Sequence, residues 1–160
     1  MTELPAATQR VVVAGAAMGI AVDPRVFPEG TKTSADAAAA IGCEVSQIVK
    51  SLVFVVDDRP VIALLRGDQR LDTARLASAV GGSVARRATL DEARQATGYA
   101  PGGTPPFGHT RPLTVLADEG LRLHDELWAA AGTPTTVFPI GLDDLIRAAG
   151  ARWAVVAEGP

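Results

Sequence analysis

The run IVKSLVFVV at 48–56, followed closely by PVIALL at 60–65, constrains the fold more than any other stretch of this chain. Unbroken Val, Ile, Leu and Phe suit strands covered on both faces, and Asp57, Asp58 and Pro60 are turn-forming types. Residues 51–65 are therefore predicted as an antiparallel hairpin in the middle of the domain. Lys50 interrupts the apolar run. Its stem can cover apolar surface while the ammonium reaches water, or the ammonium can hold an anion, and the strand alone leaves both readings open. Lysine is unusual here, since Lys32 is the only other one among 15 basic residues.

Helical and extended signals alternate around the hairpin. Pro5, with Leu4, Ala7, Val11, Ala14 and Met18 at helical spacing, predicts a first helix from about 5 to 18. VDPRVF at 22–27 is extended between prolines. Thr33 and Asp36 open a second helix that Gly42 closes, and CEVSQ forms a turn or helical link into the hairpin. LDTARLASAV at 71–80 reads as helix and VARRA at 84–88 as short strand. Thr89 and Glu92 form a capping box for a helix ending at Gly98. Beyond residue 112, LTVLA is predicted as strand, HDELWAAAG (124–132) as helix, TTVFPI as strand, DDLIRAAG as helix and WAVVA as a last strand. The expected class is mixed α/β: a largely antiparallel, barrel-like sheet surrounded by helices. At 160 residues and 48% hydrophobic, the chain suits one domain over 1–160, with its core at about 5–157.

A formal net charge of −3 argues against gripping long nucleic acid, DNA included, by bulk electrostatics. A local basic face remains open, because Arg66, Arg70, Arg75, Arg86, Arg87 and Arg94 outnumber Asp68, Asp72, Asp91 and Glu92. That stretch is either a phosphate-contact face or a surface of paired charges. Cys43 is the only cysteine, so no internal disulfide or cysteine-based zinc site forms, and the thiol reads as core filling. His109 and His124 lack metal-ligand spacing, and no metal or cofactor is expected. There is no GxSxG elbow, and His124 beside Asp125 reads as a helix opening. The longest apolar run, 11–22, falls short of the roughly 20 residues that span a bilayer. Residues 1–10 lack the basic region of a secretion signal, so a cytoplasmic location without membrane attachment is expected.

GYAPGGTPPFGH at 98–109 is the longest interruption and matches neither a phosphate-binding loop nor a dinucleotide fingerprint. Gly102 and Gly103 let main-chain amides approach a ligand, while Pro101, Pro105 and Pro106 stiffen the chain. A plain rigid turn is the other reading.

Four segments, TKTSADAAAAIGCEVSQIVKSLVF, LLRGDQRLD, TGYAPGGTPPFG and WAAAGTPTTVFPIGLDDL, resemble in order and spacing the YbaK/EbsC-like aminoacyl-tRNA deacylases, the prolyl-tRNA editing domain family. The resemblance covers about residues 5–157. It implies a barrel-like mixed sheet and hydrolysis, in trans, of the ester joining a wrong amino acid to tRNA, with prolyl-tRNA acceptors as best-known targets. It also implies the acceptor end of aminoacyl-tRNA as partner, with an aminoacyl-tRNA synthetase as a candidate second one. Carried over residue by residue, it makes Lys50, Gly102 and Gly103 the catalytic set, the lysine near the terminal adenosine phosphate and the glycines at the aminoacyl end. Phe27, Thr33, Ser51, Gly98, Thr104, Pro106 and Phe107 become substrate-pocket residues. An aminoacyl ester is already activated, so positioning and backbone donors suffice without a triad. Some members carry a serine where this chain has Ala131, and lysines where it has His109-Thr110-Arg111, so no particular amino-acid specificity is implied. A non-catalytic module that binds tRNA or a synthetase shares the same signature and is the alternative.

Overall fold

The computed structural model describes residues 3–31 and 33–159. Helix α1 (Ala6–Ala17) leads to a two-residue strand β1 (Arg25–Val26). Helix α2 (Ser34–Ile41) starts where the Thr33 hydroxyl accepts the Asp36 N–H at 3.0 Å, and it ends at Gly42 in the left-handed conformation. A 3-10 turn at Val45–Gln47 delivers the chain into β2 (Ile48–Val56), which pairs with β3 (Arg59–Arg66). Asp57 and Asp58 make the turn with φ of 47° and 69°, the left-handed pair whose twist matches the flanking strands.

Helix α3 (Thr73–Ala79) is capped by Asp72, and β4 (Ala85–Arg87) leads to α4 (Leu90–Thr97). Both reciprocal bonds of the Thr89–Glu92 box are present, at 3.1 and 2.9 Å. The chain continues through β5 (Thr114–Asp118), a 3-10 turn at Glu119–Leu123, β6 (Glu126–Ala130), β7 (Thr136–Gly141), α5 (Leu142–Ala149) and β8 (Arg152–Ala154).

One predicted element is overturned: 124–132 holds a strand instead of a helix, and His124 closes the preceding 3-10 turn. The alanines that suggested helix are small enough for a strand buried on both faces. Ala129 lies opposite Phe138 of β7 and opposite Val49 of β2, and this tertiary pairing overrides local propensity.

The sheet order is β1-β7-β6-β2-β3-β5-β8, with β4 also on β2, so the hairpin is central as predicted. The sheet is mixed and flanked by helices. Parallel pairs (β6·β2, β3·β5, β5·β8) sit among antiparallel ones, and the sheet stays open, with β1 and β8 at its ends. On one face lies the main core, where Val53, Ile62, Leu64, Ala129 and Phe138 meet Val11 of α1, Ala93 of α4 and Leu145 of α5. The other face carries two smaller cores. Leu76 of α3 packs on Phe54, Val61 and Leu65, and Ala37 and Ala38 of α2 pack on Ile48, Trp128 and Val137. By strand alternation Lys50 stands between them.

The second edge of β2 is shared by two strands that do not meet. β6 pairs with Ile48 and Val49, and β4 pairs with Phe54, Val55 and Val56. Lys50, Ser51 and Leu52 are paired by neither, and they are the three partly exposed residues of β2. Ile48 O accepts the Gly67 N–H on the β3 side, while Val53 O accepts the Ala88 N–H on the β4 side. Main-chain groups alternate sides along a strand, so the N–H and C=O of Ser51 point into this opening.

A candidate active site at a break in the sheet

A cavity of about 500 Å³ fills the opening. Lys50, Ser51 and Leu52 of β2 line it, with Thr33, Ser34 and Ala35 at the start of α2, Arg87 of β4, Ala129 and Ala130 of β6, and Gly102 and Thr104 of the loop. Lysine and glycine-rich loop thus meet in one space, about fifty residues apart in sequence.

The Lys50 ammonium donates to Gln69 O and keeps two further donors. Burial pushes its pKa below the ordinary lysine value; Asp68 opposes the shift, and Arg70 and Arg87 add to it. Asp68 is itself held by Arg66 at 2.6 Å. Arg87 has no acidic partner among the described residues. At the mouth of α2, the first-turn amides of Ser34 and Ala35 have no protein acceptor among the described residues, as the geometry of a helix start dictates. Two side-chain cations and a helix N-terminus therefore favour an anion on this side. Among the described residues no Asp, Glu or His lines the cavity, so its wall holds two cations and no carboxylate or imidazole base.

The loop is built to hold its shape. Its base is closed by Thr110 N–H to Thr97 O and by Tyr99 O–H to Gly108 O, both at 3.1 Å. The Gly103 N–H bonds Ala100 O at 3.1 Å, and Gly103 O accepts the Gly132 N–H at 2.9 Å. A Cβ on Gly103 would lie 2.6 Å from Thr133 Cα, so the residue is a glycine because the β6–β7 connection presses against it. Its amide is occupied inside the loop. Gly102, at φ +88°, and Thr104 reach the cavity instead, and their N–H groups have no protein acceptor among the described residues. His109 Nε2 is 2.8 Å from Pro105 O; a carbonyl only accepts, so that nitrogen carries the proton. Burial lowers the His109 pKa, which favours this neutral form.

Residues 28–148 match the family model described as "Aminoacyl-tRNA editing domain". The chain belongs to this family. A crystal structure described as a candidate trans-editing enzyme for prolyl tRNA synthetase superposes with a TM-score of 0.92 at 40% identity, covering 98% of this chain and 100% of that one. A chain from a study of epitope grafting onto scaffold proteins is similar at a TM-score of 0.91 and 35% identity, covering 98% and 100%. Proline--tRNA ligase of Geobacter sp. (strain M21) is 35% identical over 118 residues, 71% of this chain and 21% of the ligase. The editing domain thus spans about a fifth of that relative's length.

Other expected site residues of this editing domain lie outside the cavity wall. Pro106 and Phe107 are buried, and the Phe107 ring meets Phe138 edge-on at 5.8 Å, anchoring the loop in the main core. Gly98 ends α4 in the left-handed conformation and its carbonyl accepts Arg10 Nη2 at 3.0 Å. Phe27 packs against the small core that includes Trp128 and Val137, both of which do line the cavity. Of the six clustered arginines, only Arg87 reaches the cavity. Arg66, Arg75 and Arg86 are engaged by Asp68, Asp72 and Glu92. Burial raises the pKa of half-buried Cys43. His124 Nε2 lies 2.8 Å from Ser46 Oγ and 3.8 Å from Glu44 Oε2; both meet one nitrogen, which is not a relay geometry.

Ala35, Trp128, Ala129 and Ala130 are not singled out by the sequence. The first acts through main-chain position, and the other three are hidden by the helical reading of 124–132. Among the described residues, no helix is long and apolar enough to cross a membrane.

Proposed function

We propose that the chain is a trans-editing aminoacyl-tRNA deacylase that acts on mischarged prolyl-tRNA acceptors in the cytoplasm, where translation supplies them. The observation that carries this reading is the meeting of Lys50, the start of α2 and the glycine–proline loop in one cavity of an editing-domain chain. Similarity to proline--tRNA ligases supports the choice of tRNA, with a prolyl-tRNA synthetase as candidate partner.

In this reading the terminal nucleotide's phosphate sits between Lys50, Arg87 and the Ser34 and Ala35 amides. A charge-assisted bond to such a phosphate is worth about 1.5–3 kcal/mol. The ester carbonyl lies against the Gly102 and Thr104 N–H groups, which stabilise the oxyanion as water adds; one such donor is worth about 10²–10³ in rate. The carbon–oxygen bond to the ribose then breaks, the water oxygen stays with the amino acid, and a proton passes to the ribose oxygen. With no carboxylate or imidazole in the wall, the neighbouring ribose hydroxyl orients the water. Discrimination by a synthetase between side chains differing by one methylene reaches only about 10–200-fold, which is the need a second sieve meets.

Single-turnover deacylation of a panel of misacylated tRNAs is the test. Wild type is expected to release at least one amino acid from prolyl-tRNA acceptors, and Lys50→Ala to abolish release while circular dichroism stays native. The absence of a general base in the wall favours one rival, a module that binds without catalysis. Acceptor-stem binding with no turnover of any substrate would establish that rival.

A further inference from the structure

We propose that the Ser51 hydroxyl reads a polar atom on the side chain of the amino acid being removed, making the substrate a tRNA that carries a small hydroxylated amino acid, serine foremost. The inference rests on the deacylase reading above and assigns its specificity. Ser51 Oγ is buried without a hydrogen-bond partner among the described residues, although Ser51 as a whole is partly exposed and lines the cavity. A buried hydroxyl left without a partner is unfavourable, and the residue that carries this one lines the cavity. Rotation of χ1 between staggered wells turns Oγ toward it.

Of the threonines that line the same cavity, Thr31 and Thr104 have their hydroxyl protons in use, and Thr33 uses its oxygen as a helix cap. Thr31 donates to Pro134 O at 2.8 Å, Thr33 accepts from the Asp36 N–H at 3.0 Å, and Thr104 donates to Ala100 O at 3.3 Å. Strand alternation puts the Ser51 side chain on the face of Val49, Val53 and Ala129, away from the Lys50 ammonium, so its surroundings are small and apolar. A substrate ammonium is a poorer match than a hydroxyl, because among the described residues the charged groups that line the cavity are Lys50 and Arg87, both cationic. A site built to hydrogen-bond a substrate hydroxyl rejects the analogue that lacks it by as much as about 10⁴–10⁵. Alanine, which leaves Ser51 unpartnered again, is the analogue to exclude.

The experiment compares single-turnover rates on one proline tRNA acylated with serine or with alanine, for wild type, Ser51→Ala and Ser51→Thr. Wild type is expected to favour the seryl ester by about 100-fold or more, Ser51→Ala to bring that ratio to within a few-fold, and Ser51→Thr, which keeps the hydroxyl, to retain the preference at a lower rate. Equal losses on both esters in Ser51→Ala, with an unchanged ratio, would mean a structural role or a contact to the shared ammonium and would overturn the inference. So would a wild type that prefers the alanyl ester. A wild type inert on the whole panel would overturn the deacylase reading itself, and this assignment with it.

Discussion

Lys50 stands between two small hydrophobic cores, where an apolar side chain would join them. Burial holds its pKa below the ordinary lysine value of about 10.4, so between the lowered value and the ordinary one the unfolded chain binds the proton more tightly. The destabilisation is present in full at neutral pH and is lifted as pH rises toward that ordinary value. Lys50→Met is therefore expected to melt at or above the wild-type temperature at pH 7, with the difference shrinking in alkali and deacylation lost throughout. A lower melting temperature at pH 7 would show that the bond to Gln69 outweighs desolvation. This residue was legible in the sequence because it contrasts with its own strand. Ser51 was legible as a pocket residue through the family resemblance; that its hydroxyl is buried without a partner depends on what the fold packs around it, which no local pattern records.

At the scale of elements, the loop and the β6–β7 connection work as a pair. Gly103 is in contact with Gly132 and Thr133, so a methyl group there must push the two apart. Gly103→Ala is expected to lower stability by about 1–3 kcal/mol, the usual effect of overpacking. It should also slow deacylation by displacing Gly102 and Thr104, with denaturant melts and single-turnover rates as the measurements. Unchanged turnover with reduced stability would detach the loop from catalysis. Helices α2 and α4 were legible because caps are local: Thr33, Gly42 and the Thr89–Glu92 box lie within a turn of what they end. Strand β6 was not, because its state is decided by Val49 and Phe138, some 80 residues before and nine after Ala129. The loop itself could be recognised as shaped, yet which of Gly102 and Gly103 keeps a free amide depends on Ala100 O and on the docking of Gly103 against Thr133.

Across the whole molecule, a net charge of −3 coexists with a cationic cavity, since Lys50 and Arg87 line it and Arg70 makes itself felt at Lys50. The one terminal-nucleotide phosphate held between Lys50 and Arg87 predicts a slope of log(kcat/KM) on log salt of about −0.7, the value for a single-strand phosphate contact, and Arg87→Gln should flatten it. A flat salt response would remove the phosphate contacts, and a much steeper one would extend the footprint beyond the acceptor end.

The opening in the sheet has one more consequence. Its rims come from residues 48–56, 85–87 and 126–130, and the loop at 98–108 adds another wall, so no single element or hairpin contains it and its lining is drawn from Thr31 through Val137. Turnover therefore reports the joint assembly of elements drawn from across residues 31–137, and a partly folded intermediate that keeps only the central hairpin has no pocket with which to act.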